Sequence, residues 1–242
     1  MNVLLNPDRK PVIAHRGGRA RAPENTLEAM RLGIADGADA LEFDVRISED
    51  GEVVVIHDPT VDRTTDGKGS VERKTLRELK SLSAGSNAAR IPTLDEVLRS
   101  FPATPLLIEI KASLAAAGTR RLIEKYRAED RCLVDSYSST ALAIFHGSRI
   151  AHGPGRNGMI GLLARSLSGA RGAVPLNVSA LSIPPTYHGL PLPVGYLART
   201  MRSAGKPVHI WTVNDPDEAR GMWRLGVSGI ITDDVPAILA AR

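Results

Sequence analysis

Segments with strand character and segments with helix character take turns along the whole chain, and this alternation limits the fold more than any other feature. Strand-like runs fall at 12–16, 39–46, 53–57, 105–111, 131–136, 158–163, 179–183, 207–213 and 229–232. Several are continuous apolar runs, such as Leu106-Leu107-Ile108 and Gly229-Ile230-Ile231. Parallel strands buried on both faces read this way. Helix starts lie between them, and Asn25 with Glu28, Thr75 with Glu78 and Thr93 with Glu96 each have the spacing of a capping box. The first helix puts Leu27, Met30 and Ile34 on one face and stops at Gly37, and another runs from about Pro216 to Leu225 and ends at Gly226.

Nine strands exceed an eight-stranded barrel by one. Only Asp50-Gly51 separates VRISE from EVVVI, which is a two-residue hairpin signal. The 53–57 strand is therefore expected to run antiparallel to the end of 39–46, outside the barrel wall. Eight parallel strands remain, and 242 residues suit one domain of that kind. The expectation is an α/β fold, a TIM-like (β/α)8 barrel over 1–242, in preference to a doubly wound sheet. The polar stretch 59–92 has one short helix signal at 76–82 and reads as a small insertion over one barrel end, without a core of its own. A linker is the other reading. Residues 147–157 and 184–195 read as Gly/Pro-rich loops.

Composition removes several classes of function. A net charge of +4 is mild and scattered, and aromatic content is 4%. Neither a basic stripe nor a stacking platform for nucleic acid is present. The single cysteine, Cys132, rules out an intramolecular disulfide and sits in an apolar run, as a core residue would. No run approaches the ~20 apolar residues of a membrane helix. The N-terminus, MNVLLNPDRKP, lacks signal-peptide character, so a cytoplasmic protein is expected.

Chemistry concentrates at strand ends. Side chains two apart in a strand share a face, so Glu42 and Asp44 point one way, as do Glu109 and Lys111. At the carboxyl ends of parallel strands, these pairs occupy the place where barrel enzymes keep their active sites. Converging carboxylates repel and resist desolvation unless a cation joins them. Oxygen-only donors suit one divalent Mg2+, Ca2+ or Mn2+ rather than Zn2+. Structural ion pairs with nearby Lys or Arg are the alternative.

With Asp50-Gly51 as the turn, facing residues have numbers that sum to 101, which sets Asp44 opposite His57. His15 ends the neighbouring first strand. Two histidines flanking the carboxylates can serve as acid and base near neutral pH, or can be hydrogen-bonded structural groups. Arg16 and Lys111 add positive charge at the same end. Three carboxylates, a divalent cation and these two groups leave one net positive charge, which suits a phosphodiester. The other four histidines, His146, His152, His188 and His209, stay outside this pattern, although His209 shares strand parity with Trp211.

Read together, these residues resemble the glycerophosphodiester phosphodiesterase family. The resemblance rests on His15-Arg16-Gly17, Pro23-Glu24-Asn25-Thr26, Glu42-Phe43-Asp44-Val45, Asp50-Gly51 and His57-Asp58. It continues through Arg63-Thr64-Thr65, Glu109-Ile110-Lys111, Trp211-Thr212-Val213-Asn214 and Gly229-Ile230-Ile231-Thr232-Asp233. It implies a TIM barrel with an insertion after His57-Asp58, and a divalent cation, Ca2+ or Mg2+, on Glu42, Asp44 and Glu109. It further implies His15 and His57 as the acid/base pair, Arg16 and Lys111 near phosphate, and Trp211 beside the substrate. The implied partner is a small-molecule glycerophosphodiester, cleaved to glycerol 3-phosphate and an alcohol. Gly17 and Gly18 are expected to leave room for it. Asp135-Ser136-Tyr137 stands where relatives often carry Ser-Phe, and 146–195 matches loosely. Three rivals remain: a lysophospholipid- or sphingolipid-directed phosphodiesterase, a metal-dependent barrel lyase or isomerase, and a non-catalytic phosphate binder.

Overall fold

The computed structural model describes residues 2–85, 89–168 and 178–242. Its strands are β1 (Val12–Ala14), β2 (Ala40–Ile47), β3 (Val53–Val55), β4 (Leu106–Ile110), β5 (Cys132–Asp135) and β6 (Ala151–His152). They continue with β7 (Leu181–Ile183), β8 (Thr186–Tyr187), β9 (Leu190–Pro191), β10 (Val208–Ile210) and β11 (Gly229–Thr232). Helices are α1 (Leu27–Ala35), α2 (Leu76–Ser81), α3 (Leu94–Ser100), α4 (Ala115–Lys125) and α5 (Ser139–Ala143). The last four are α6 (Gly155–Ser168), α7 (Val194–Ser203), α8 (Pro216–Arg224) and α9 (Val235–Leu239).

Eight parallel strands pair in the order β6-β5-β4-β2-β1-β11-β10-β7, with β3 antiparallel on β2. The two ends of this path meet, because the Ser179 N–H donates to the His152 carbonyl at 2.9 Å. The architecture is the TIM-like barrel expected from the alternation.

Side-chain parity builds the barrel in layers. Ile13, Leu107, Leu133 and Ile231 form an apolar cluster with Leu4. A larger cluster, including Val12, Phe43, Ile108 and Val134, packs the outside of the strands against the helices. Two residues further along the same strands, the inward positions become Glu42 and Asp44, Glu109 and Asp135. His209 and Trp211 share the inward parity of β10. His209 is fully buried, its Nε2 donates to the Leu4 carbonyl at 2.9 Å, and burial pushes its pKa down to about 4. It is a neutral structural histidine. Cys132 is buried on β5, and burial raises its thiol to about 12.

Several sequence readings need correction. The apolar run 158–163 is not a strand but part of α6, and the sixth strand is Ala151–His152, inside a stretch read as loop. Likewise 184–195 contains the β8–β9 hairpin. The β2–β3 pairs Val45↔Val55, Arg46↔Val54 and Ile47↔Val53 sum to 100. The Ser48 N–H donates to the Glu52 carbonyl, so the loop is Glu49-Asp50-Gly51, with Gly51 at φ +84°. The left-handed residue ends a three-residue turn, which shifts the register by one. Asp44 therefore contacts Ile56, whose N–H donates to the Asp44 carbonyl, and not His57.

Capping boxes form at Thr75/Glu78 and Thr93/Glu96, whereas Thr26 rather than Asn25 caps α1. The 59–92 insertion does carry a small core, in which Val61, Val71, Leu79 and Ile91 pack with Val54 and Ile56. Among the described residues, no helix is long and apolar enough to cross a membrane.

Candidate active site

The carboxyl end of the barrel opens into a cavity of about 490 Å3 whose walls include His15, Arg16, Glu42, Asp44, His57, Glu109, Lys111 and Trp211. All eight residues singled out in the sequence meet there.

The carboxylates converge because β2 and β4 are adjacent and in register, Asp44 directly beside Glu109. One oxygen from each of Glu42, Asp44 and Glu109 lies within 4.8 Å of the other two. Burial, then repulsion from Asp44 and Glu109, pushes the Glu42 carboxyl well above its ordinary range. A trio under this strain, with Glu42 and Asp44 buried and Glu109 half-buried and with hard oxygen donors only, fits a divalent cation. Lys111 Nζ lies 2.7 Å from Glu109 Oε1 and 3.3 Å from Asp44 Oδ1. Burial opposes its charge, but Glu109 and Asp44 outweigh that and raise its pKa.

The loop after β1 presents His15 and Arg16. Arg16 adopts φ +51°, its N–H donates to Glu42 Oε2 at 2.8 Å, and its carbonyl accepts from the Asn25 N–H. The side chain spans Glu24, where Nη1 donates at 2.7 Å, and Asp44, where Nε lies 3.5 Å away. Gly17 and Gly18 serve a different purpose from the one expected. A Cβ on Gly17 would lie 2.8 Å from the Met30 backbone nitrogen, and one on Gly18 would meet Gly33. They let the loop lie on α1 and do not make room for substrate.

Both histidines are held by carboxylates that sequence reasoning did not assign. His15 Nδ1 donates to Asp233 Oδ1 at 2.7 Å, and His57 Nδ1 donates to Asp58 Oδ1 at 2.6 Å. A carboxylate partner keeps the proton on Nδ1 and leaves Nε2 of the neutral ring as the free acceptor. Nε2 of His15 points towards the carboxylates, 4.0 Å from Glu42 Oε2.

Asp233 also accepts from Arg19 Nε at 2.8 Å and from Asn214 Nδ2 at 3.0 Å. Burial would raise this carboxyl, yet His15, Asn214 and Arg19 hold it down to about 2. Arg63 clamps Asp58 through Nε and Nη2, at 2.6 and 3.0 Å, and pulls its pKa far below the usual range. The same guanidinium donates to Glu24 at 2.7 and 2.9 Å. Against the cost of burial, Arg63 and Arg16 keep Glu24 down to about 2.

Asn25, at φ +59°, accepts from the Asp44 N–H and donates from Nδ2 to Asp44 Oδ2 at 2.9 Å. The Pro-Glu-Asn-Thr motif is thus a scaffold for Arg16, Arg63 and Asp44 as well as a helix start. His57 enters the cavity with its carbonyl accepting from Arg46 Nε at 2.8 Å. Its position follows from the insertion and Arg46, not from facing Asp44. Asp135 is a further inward acid, paired in register with Glu109 and seated against Gly153. Burial and Glu109 push it up to about 7.

A barrel that gathers oxygen donors, imidazoles and fixed cations at its carboxyl end has the groups that metal-assisted cleavage of phosphate esters needs. Residues 15–149 and 164–237 match the sequence model of the glycerophosphoryl diester phosphodiesterase family. A glycerophosphodiester phosphodiesterase of Caldanaerobacter subterraneus is 34% identical over 241 residues, spanning 94% of this chain and 96% of the relative. A phosphodiesterase structure from Oleispira antarctica, solved with its product sn-glycerol-3-phosphate, aligns with TM-score 0.80 at 28% identity over 96% of each chain. A glycerophosphodiester phosphodiesterase structure from Thermotoga maritima aligns with TM-score 0.76 at 29% identity, over 97% of this chain and 99% of that one. The chain belongs to the glycerophosphoryl diester phosphodiesterase family. It is a phosphoric diester hydrolase.

Proposed function

We propose that the whole chain acts as one catalytic domain that hydrolyses glycerophosphodiesters to sn-glycerol 3-phosphate and an alcohol. In this reading His15 and His57 are the acid/base pair, and Glu42, Asp44 and Glu109 hold one divalent cation, Ca2+, Mg2+ or Mn2+. The observation that carries the reading is the shared cavity: two carboxylate-held histidines line the same walls as the three-carboxylate cluster.

A cation held by Glu42, Asp44 and Glu109 would supply Lewis-acid stabilisation of the charge that develops on phosphate. The protein side chains do the rest. Arg16 and Lys111 face the phosphate with fixed positive charge, and Trp211 flanks the organic arm. Nε2 of one histidine takes the proton of the attacking oxygen as it bonds to phosphorus; that oxygen belongs to water, or to the adjacent glycerol hydroxyl, in which case water then opens the cyclic phosphate to glycerol 3-phosphate. The other histidine, protonated at Nε2, donates to the bridging oxygen as the phosphorus–oxygen bond to the alcohol breaks. The imidazolium formed in the first transfer is balanced by its aspartate, Asp233 or Asp58. Acid/base assistance of this sort contributes ~10²–10⁴-fold. Positioning and preorganised charge supply the larger remainder.

Product analysis with glycerophosphocholine and glycerophosphoethanolamine, with added divalent cation or with EDTA, tests the proposal. Glycerol 3-phosphate is expected only in the presence of cation. Its absence from every such reaction with cation supplied defeats the reading.

A further inference from the structure

Each histidine is held by an aspartate and each aspartate by an arginine, and both lines end on one side chain. On the first, His15 Nδ1 and Arg19 Nε donate to the same oxygen, Asp233 Oδ1. Arg19 then reaches further, with Nη1 lying 3.6 Å from Glu24 Oε2. On the second, His57 Nδ1 donates to Asp58, and Arg63 donates to both Asp58 oxygens. The same guanidinium donates to both oxygens of Glu24. Arg16 completes the set, donating from Nη1 to Glu24 Oε1 at 2.7 Å. One carboxylate thus gathers three guanidiniums, two of which lead to the histidines.

Glu24, Arg19 and Arg63 are not among the residues that line the cavity, so anything they do for the reaction they do through others. The Arg19 and Arg63 side chains are 41% and 47% exposed, whereas that of Glu24 is 10% exposed. A half-exposed arginine–carboxylate pair contributes little alone, because holding two side chains in one geometry costs entropy that water-screened attraction barely offsets. A planar guanidinium gripped from two sides by fixed carboxylates loses its freedom once for both contacts. Glu24 can be such a fixed end, because the chain on each side of it is tied. The Asn25 N–H donates to the Arg16 carbonyl at 2.9 Å and its side chain bonds Asp44, while the Thr26 hydroxyl donates to the Pro23 carbonyl at 2.8 Å. Arg16, Arg19 and Arg63 balance Glu24, Asp58 and Asp233 in charge, so the network is neutral as a unit.

We propose that Glu24 is a positioning residue for both histidines, the joint that holds the Arg19 arm and the Arg63 arm in one frame. This rests on the reading of His15 and His57 as the acid/base pair. Proton transfer to and from one phosphate needs both Nε2 atoms placed at once, and a misplacement of about 1 Å can cost about 10²-fold in rate. The two imidazoles stand on separate segments, one after β1 and one after β3. With Glu24 in place, loosening either arm loosens the end to which the other is fastened. Without it, each arginine keeps only its own aspartate.

The experiment measures glycerol 3-phosphate release from glycerophosphocholine at saturating divalent cation, well below the Tm of each variant. Glu24→Gln keeps the side-chain length and removes the charge, and it should lower kcat by about 10²-fold with KM changed far less. Arg19→Ala and Arg63→Ala should each lower kcat, and the double variant should fall short of the product of the two factors by about two- to tenfold. In the Glu24→Gln background the two factors should multiply, since the joint that links them is gone. Near wild-type kcat in Glu24→Gln, or a loss carried by KM, overturns the proposal. So do factors that multiply with Glu24 in place, which would make the arms separate supports, and a shortfall that persists unchanged in Glu24→Gln. If Glu24→Gln does not fold, the Arg19 and Arg63 cycle at intact Glu24 decides alone. In all these cases turnover by the unchanged chain leaves the hydrolytic reading intact. No glycerol 3-phosphate from the unchanged chain overturns both.

Discussion

Replacing Asp233 by Asn tests whether the aspartate acts through His15. In the wild-type chain Asp233 Oδ1 accepts from His15 Nδ1 at 2.7 Å and from Arg19 Nε at 2.8 Å, while Oδ2 accepts from Asn214 Nδ2 at 3.0 Å. An amide has one acceptor oxygen and one donor nitrogen, so it cannot satisfy all three donors. With its nitrogen at the Oδ1 position, it faces two donors and drives the His15 proton to Nε2. With its nitrogen at Oδ2, it faces the Asn214 amide. That amide cannot turn over freely, because Asn214 Oδ1 already accepts from the Asp233 N–H at 2.8 Å and Thr232 Oγ1 at 3.0 Å.

Loss of a hydrogen bond to a charged group costs about 1.5–3 kcal/mol. That corresponds to roughly 10- to 150-fold in rate at about 1.4 kcal/mol per decade. The wrong tautomer at a His–Asp pair costs up to about 10⁴ in kcat. Asp233→Asn should therefore lower kcat by about 10²–10⁴ with KM changed far less, measured as glycerol 3-phosphate release at saturating cation. In a His15→Ala background the same substitution should have little further effect, since coupled residues do not add. Near wild-type kcat in the single variant, or an undiminished factor in the His15→Ala background, would refute the reasoning.

Chelation should abolish turnover, and adding Ca2+, Mg2+ or Mn2+ to the stripped protein should raise its Tm, because a bound cation relieves repulsion among Glu42, Asp44 and Glu109. Full activity after exhaustive chelation, or a Tm indifferent to cation, counts against the site. Gly33→Ala places a Cβ 2.5 Å from the Gly17 carbonyl oxygen and 2.9 Å from the Ala14 Cβ. Overpacking of about 1–3 kcal/mol outweighs the helix gain of about 1 kcal/mol, so thermal melts should show a lower Tm; an unchanged or higher one refutes the contact. Asp135 has a folded pKa of about 7, above its unfolded value of about 3.9. Folding then retains a proton that the unfolded chain loses, and stability falls as pH rises between these values. In cation-free buffer, the Tm advantage of Asp135→Asn over wild type should grow from pH 4 to pH 7. A pH-independent difference would sink that assignment.

The barrel was legible because strands buried on both faces leave apolar runs, and inward parity carries directly from Leu107 to Glu109 and Lys111. The sixth strand was not, since Ala151 and His152 are too few to leave a pattern, while Met159, Ile160, Leu162 and Leu163 supply an apolar run that suits a strand or a helix equally. The hairpin register failed for a local reason: Asp50-Gly51 satisfies both a two-residue turn and the end of a three-residue one. Asp233, Asn214 and Glu24 lay beyond reach because their partners are distant in sequence. His15 and Asp233 are 218 positions apart, and only the closure of β1 against β11 brings them together.

Glu24 sits between the loop after the first strand, through Arg16, and the insertion, through Arg63. Arg63 in turn braces the Asp58 carboxylate that holds His57. An insertion exchanged between relatives is therefore a two-ended graft. A donor segment that lacks an arginine at position 63, set into a host that keeps Glu24, leaves a half-buried anion short of a partner and an imidazole without its brace. Positions 24 and 63 are best transplanted as a matched couple, however remote they stand in the primary structure.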